Sequence, residues 1–172
     1  GSTSVSVLEL GSGAVGLSGF AAALRIGKIS GNHKLCLTDN EIRVVEQLKS
    51  NIQEATASLK EKHAEIVVPE INVESLDWSD HFKLKDYHSL DLIIGSELVY
   101  TPQTAQACAS CIKTLLRKNP SASVLIVQIR DREGWSDIFV PSFDEDENFT
   151  ISEDVIDADI DGKARQMITQ GG

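Results

Sequence analysis

The 172-residue chain is poor in cysteine, methionine, proline and aromatic residues: it has three Cys, one Met, four Pro and 5% aromatics. Cys36, Cys108 and Cys111 are too few and too unevenly spaced to staple a fold, which excludes a disulfide scaffold and points to a reducing compartment. No apolar run approaches the roughly 18 residues of a membrane span, and no signal peptide opens the chain. A cytoplasmic protein is therefore expected, with the nucleus as the other location and no membrane partner. Basic residues are missing from a long stretch: Glu133 to Gly162 holds 11 acids and no Lys, Arg or His. The rest of the chain, with 15 acids and 16 bases, is close to neutral, so the net charge of −10 is local. No basic footprint for phosphate is present, and nucleic acid is not an expected partner. The acidic stretch reads as a solvated face or as an attractor of a basic protein. With 41% hydrophobic and 24% charged residues, the disordered and collagen-like classes are excluded, and one globular domain over residues 3–172 is expected.

Apolar and glycine patterns supply the elements. Val5 to Leu10 reads as a strand, Gly11-Ser12-Gly13-Ala14-Val15-Gly16 as a glycine turn, and the Ala-rich stretch from Phe20 as a helix. Lys34 to Thr38 is a second strand ending in Asp39. Ile42, Val45, Leu48, Ile52, Ala55 and Leu59 recur at steps of three and four, one apolar stripe of a helix that Asp39 or Asn40 can cap. Strands follow around Ile71 to Leu76, Leu90 to Gly95 and Val124 to Ile129. Residues 79–89 are polar and irregular. Thr101-Pro102 opens a helix that Asn119-Pro120 stops. Residues 133–143 suggest a further helix, and Phe149–Ile151 and Met167–Thr169 an antiparallel pair. The alternation predicts an α/β, Rossmann-like doubly wound sheet, mostly parallel with an antiparallel last strand.

Chemistry-bearing residues fall at the predicted strand ends. Gly11, Gly13 and Gly16 match G-x-G-x-x-G, and Asp39 ends the next strand where ribose hydroxyls would sit. That pattern suits an adenosine-type cofactor without choosing between a nicotinamide dinucleotide and S-adenosylmethionine. Glu9 favours the second, because an acid inside an apolar strand is costly unless it meets positive charge, and S-adenosylmethionine carries an ammonium and a sulfonium. Its alternative role is that of an internally paired strand-end carboxylate.

These residues resemble a family. Val7-Leu8-Glu9-Leu10-Gly11-Ser12-Gly13, Leu37-Thr38-Asp39, Leu76-Asp77-Trp78 and Glu97-Leu98-Val99-Tyr100-Thr101-Pro102 look like the motifs of seven-strand S-adenosylmethionine-dependent methyltransferases. The last is similar to the acid-x-x-aromatic-x-Pro signature of the protein-lysine methyltransferase branch. Val44-Val45-Glu46-Gln47-Leu48 and Leu76-Asp77-Trp78 resemble its elongation-factor-2 lysine methyltransferases. The resemblance implies S-adenosyl-L-methionine as cofactor and a protein substrate, a translation factor or another basic protein. Glu9, Gly11, Ser12 and Gly13 would line the methionine part, Asp39 the ribose, Asp77 the adenine amino group and Trp78 the ring. Ser96 and Glu97 would lie near the transferable methyl, with Glu97 and Tyr100 toward the acceptor lysine. Glu97 and Tyr100 also have plain readings, as a helix-start acid and a packing aromatic. The family usually reads G-x-G-x-G at the turn; here Val15 takes the third place and Gly16 follows. The N-terminal segment that the family carries before its first strand is expected to be absent.

Two other functions compete: an NAD(P) oxidoreductase, from the literal glycine pattern and Asp39, and a non-catalytic cofactor-binding module acting through the acidic surface. No metal is expected. Cys108-x-x-Cys111 shares a helix face with Ala105, Ile112 and Leu115, as core cysteines do. Asp157 to Gly162 begins like a calcium loop, but position twelve is Ile168. His33, His63, His81 and His88 lie in polar segments and form no hydrolase triad.

Overall fold

The structure, a computed structural model, describes residues 4–63, 66–155 and 163–170. The Asp157–Gly162 segment therefore lies outside the described residues. The chain divides into two compact units, Gly1–Asp77 and Trp78–Gly172.

In the first unit, β1 (Ser6–Leu10), β2 (Lys34–Asp39) and β3 (Glu70–Ser75) pair in parallel in the order β3-β2-β1. Parallel neighbours need a crossover, and α1 (Leu17–Ile26) and α2 (Ile42–Lys62) supply the two. Leu8, Leu10, Leu35 and Leu37 are buried, as are Val45, Leu48 and Ile52 from the stripe on α2. Ile42 departs from that stripe: it is 68% exposed at the first turn, before the helix meets the sheet. Asp39 and Asn40 do not cap α2. Glu41 is its N-cap, without a side-chain cap bond, because the Asp39 carboxylate is engaged by the glycine turn. His33 is buried rather than in a polar segment. Its Nδ1 accepts from the Val5 N–H at 3.1 Å, and its Nε2 bonds the Ile29 carbonyl at 2.9 Å.

In the second unit, β4 (Leu92–Ser96) pairs in parallel with β5 (Ser123–Ile129). Next to β5 lies β7 (Lys163–Gln170), antiparallel to it and to β6 (Phe149–Val155), giving the order β4-β5-β7-β6. The antiparallel last strand is thus borne out, with longer strands than the apolar residues alone suggested. Helix α3 (Pro102–Lys118) begins as predicted: the Thr101 hydroxyl accepts from the Thr104 N–H, and Pro102 opens the first turn. Asn119 ends it and is buried. Its amide donates to the Tyr87 and Leu115 carbonyls, and its oxygen accepts from the Leu90 N–H, fixing the entry to β4. Residues 79–89 include a short 3₁₀ turn, Lys83–Asp86, with Leu84 buried. The helix expected over 133–143 is present as a π-helical stretch, Trp135–Phe139, running into α4 (Val140–Asp144). Trp135 stacks on Phe139 with ring centres 4.6 Å apart, and the chain of rings continues through Phe143 to Phe149. Aromatic packing, absent from a plain 3.6-residue periodicity, sets this segment. Cys108 and Cys111 are buried with Ala105, Ile112 and Leu115, as expected of core residues. Burial pushes the Cys111 thiol up to about 12, and burial together with the neighbouring Cys111 holds the Cys108 thiol well above its ordinary value, so neither is a thiolate.

Candidate functional site

The first unit gathers five of the predicted residues at the C-terminal ends of β1 and β2. The turn after β1 needs left-handed backbone: Gly11, Gly13 and Gly16 have φ of 59°, 61° and 61°. Gly16, the position beyond the family's usual third glycine, also needs its missing side chain, since a Cβ there would lie 2.6 Å from Leu48 Cδ1. At Gly13 a Cβ would meet nothing within 4 Å, so the requirement there is conformational.

The turn is tied to β2 by a lattice of hydrogen bonds. The Ser12 N–H donates to the Thr38 carbonyl at 2.8 Å, and the Ser12 hydroxyl accepts from the Thr38 N–H at 3.1 Å. The Thr38 hydroxyl donates to the Glu9 carbonyl at 2.6 Å. Asp39 Oδ2 accepts from the Gly13 N–H at 3.0 Å, and its Oδ1 from the Glu41 N–H at 3.2 Å. Asp39 therefore shapes the turn itself. Asn51 on α2 adds a tie that its sequence position does not advertise: its amide donates to the Ala14 carbonyl at 2.8 Å.

Glu9 is 2% exposed. Its Oε1 accepts from the Gly19 N–H in the first turn of α1 at 3.0 Å, whereas Oε2 is buried with no hydrogen bond. Burial raises its pKa, and the neighbouring Ser12, Gly19 and Ser18 offset part of that rise. A buried carboxylate with one oxygen unsatisfied is a costly arrangement that a cation relieves. Asp77, exposed, ends this unit directly after Leu76, whose N–H bonds the Asp39 carbonyl at 2.9 Å. Asp77 and Asp39 thus close neighbouring strands.

Trp78, half-buried, begins the second unit. There Ser96 ends β4 and Glu97 follows with φ 53°, a left-handed conformation rare for a side-chain-bearing residue. Its N–H donates to the Val127 carbonyl at 2.8 Å, and its Oε1 accepts from the Ile129 N–H at 2.9 Å. Glu97 Oε2 faces Arg132, with Nε at 3.4 Å and Nη2 at 3.5 Å. The same guanidinium lies 5.0 Å over the ring of Tyr100, which is 50% exposed. Glu97 and Tyr100 are thereby brought together around one cation. Gln128 holds the segment between them: its amide oxygen accepts from the Val99 N–H at 3.1 Å and its nitrogen donates to the Val99 carbonyl at 3.0 Å, all of it buried. No motif or periodicity marks Arg132 or Gln128 in the sequence.

A family model described as lysine methyltransferase matches residues 1–146. The chain belongs to that lysine methyltransferase family. Solved methyltransferases share its fold. TrmK of M. capricolum, solved with S-adenosyl-homocysteine, superposes over 98% of this chain and 63% of its own, with TM-score 0.60 and 12% identity. An O-methyltransferase from Bacillus cereus, also in complex with that molecule, gives 0.66 at 13% identity over 96% of this chain and 74% of its own. A class I S-adenosylmethionine-dependent methyltransferase from Listeria monocytogenes, described as putative in its name, gives 0.67 at 11% identity over 98% and 54%. The fold is thus the α/β, Rossmann-like methyltransferase fold, as the motifs implied. A curated diaminohydroxyphosphoribosylamino-pyrimidine deaminase of Schizosaccharomyces pombe is 26% identical over 131 residues, 74% of this chain. The chain spans 28% of that relative's length. Family membership and the shared fold weigh against the oxidoreductase reading of the glycine turn. Among the described residues, no helix is long and apolar enough to cross a membrane.

Proposed function

We propose that the chain is the S-adenosylmethionine-dependent domain of a protein-lysine N-methyltransferase. Support for the cofactor comes from Glu9: its buried, unpartnered Oε2 suits a ligand that brings positive charge and suits a pyrophosphate poorly. The glycine turn and Ser12 hold the methionine part, Asp39 the ribose, and Asp77 with Trp78 the adenine. When bound, the cofactor supplies an electrophilic methyl on sulfur.

The observation that carries the lysine reading is the pairing of Glu97 Oε2 and the Tyr100 ring on a single cation. A carboxylate oxygen and an aromatic face are the two groups that hold an ammonium, and positioned ones orient it. Glu97 draws in the lysine ammonium and accepts its hydrogen bond, and Ser96 stands beside it. The ammonium must give a proton to solvent before the amine lone pair can attack, from a reference pKa near 10.4, and Glu97 holds the nitrogen in place while that happens. The resemblance of Val44–Leu48 and Leu76–Trp78 to elongation-factor-2 lysine methyltransferases makes a translation factor the first substrate to try, in the cytoplasm.

The test is transfer of labelled methyl from S-adenosylmethionine into a hypomethylated lysate. Label recovered as methyl-lysine after acid hydrolysis supports the reading. Label that is nuclease-sensitive, or lost in mild alkali as an ester, overturns it. Stabilisation by S-adenosylhomocysteine without any transfer would leave a cofactor-binding module in its place.

A further inference from the structure

We propose that Arg132 is a resident competitor in the acceptor site, a cation that a substrate lysine must displace from Glu97 and Tyr100. The inference rests on the reading of Glu97 and Tyr100 as the acceptor-binding pair.

The two oxygens of Glu97 are held very differently. Oε1 is fixed by the Ile129 N–H at 2.9 Å, and the residue's own N–H is fixed by Val127. The carboxylate is therefore aimed by backbone from both ends, and Oε2 is left to Arg132. Its contacts with Arg132, at 3.4 and 3.5 Å, sit at the long limit of hydrogen bonding. The Arg132 side chain is 41% exposed. A loose, half-exposed ion pair is worth little and exchanges readily. A structural strut would be shorter, bidentate and dry.

The backbone beneath that side chain is tied into its own turn. The Arg132 N–H donates to the Ile129 carbonyl at 3.3 Å, and its carbonyl accepts from the Trp135 N–H at 3.1 Å. Gly134, with φ 85°, lets the turn press against the start of α3: a Cβ there would lie 2.9 Å from Ala105 Cβ and 3.0 Å from the Thr101 carbonyl oxygen. Displacement thus needs only rotation of the Arg132 side chain. The turn itself packs directly on the start of α3. A fixed turn carrying a weakly held cation on the acceptor pair is the geometry of a selectivity filter. An isolated lysine competes poorly against a guanidinium tethered beside the site, whereas a lysine delivered by a docked protein competes well.

The test uses the full chain and Nα-acetyl-lysine methylamide as probe, with the amide resonance of Ile129 as reporter, because its proton lies on Glu97 Oε1. Arg132→Gln is expected to lower the probe's Kd by about three- to tenfold, the scale of an exposed ion pair with a cation–π contact. Arg132→Lys keeps a cation and stays near the wild-type Kd. Arg132→Met serves as a second neutral variant if the Gln chain fails to fold. A Kd in the neutral variants that is unchanged, weaker or unmeasurable overturns the proposal. Should the Ile129 response survive Glu97→Gln, the probe binds elsewhere and the acceptor-pair reading itself falls, a separate failure.

Discussion

Glu9 and Glu97 both stand near the C-terminal end of a parallel strand, and each has one oxygen held by a backbone N–H. Beyond that they differ. The second oxygen of Glu9 is buried and unsatisfied, whereas that of Glu97, on a half-buried side chain, meets Arg132. The first unit therefore carries an electrostatic cost, offset only in part by Ser12, Gly19 and Ser18, that a cationic ligand relieves further, and the second carries a site whose cation is already supplied from within. An orphaned buried oxygen points to a molecule that belongs there for long periods, as a cofactor does. A loosely filled, half-exposed site points to one that exchanges, as a substrate does. This contrast predicts that charge removal at Glu9 acts on cofactor binding, and at Glu97 on transfer.

The largest expected effect tests the second half of the contrast. Glu97→Gln keeps the oxygen that receives the Ile129 N–H and loses the charge. Methyl transfer to a protein acceptor should fall about 10²-fold or more, while S-adenosylhomocysteine affinity and melting temperature stay near wild type. Wild-type turnover would reduce Glu97 to an acid beside a helix start. Lost cofactor affinity would move it to the other side of the comparison.

Asp39→Ala comes next, and it probes how the first unit holds its ligand. The carboxylate accepts from Gly13 and Glu41 N–H groups, so its loss loosens the glycine turn as well as removing a partner for ribose hydroxyls. A weakening of S-adenosylhomocysteine binding by about 1–3 kcal/mol is expected by calorimetry, in a chain that still melts cooperatively. Unchanged affinity in the folded variant would remove Asp39 from the cofactor's surroundings.

What was legible in the sequence follows from how local each determinant is. The left-handed glycines, the Thr101-Pro102 start of α3 and the acid inside β1 leave marks within a few residues, and each stands where the pattern put it. Gln128, Arg132, Asn51 and Asn119 leave none, because each serves backbone or side chains 29 to 37 positions away. A polar residue that completes a distant ladder looks like any other polar residue in one chain. The same blindness misplaced His33, which is buried through bonds to Val5 and Ile29, and Asp39, whose candidacy as a cap was outcompeted by the Gly13 N–H. Ile42 failed for a different reason: periodicity marks a face, and the end of a helix can outrun the sheet it packs on.

The smallest effect is a slope, and it belongs to Glu9. Burial raises its pKa in the folded chain above the ordinary value of 4.5. Between those two values the folded state binds a proton that the unfolded state has released, so stability must fall as pH rises through that window. Above the raised value the loss is complete and constant. Glu9→Gln carries no titrating group, so subtracting its unfolding free energy from the wild type's, pH by pH, isolates the residue. The difference should decline with rising pH in the cofactor-free chain. Saturating S-adenosylmethionine should flatten the decline, because a cationic ligand stabilises the ionised form, and its affinity should rise with pH across the same window. Parallel curves for the two chains without cofactor would mean that Glu9 is already neutralised from within the fold, and the contrast with Glu97 would fail. A slope that survives saturation with cofactor would place the ligand's positive charge away from Oε2.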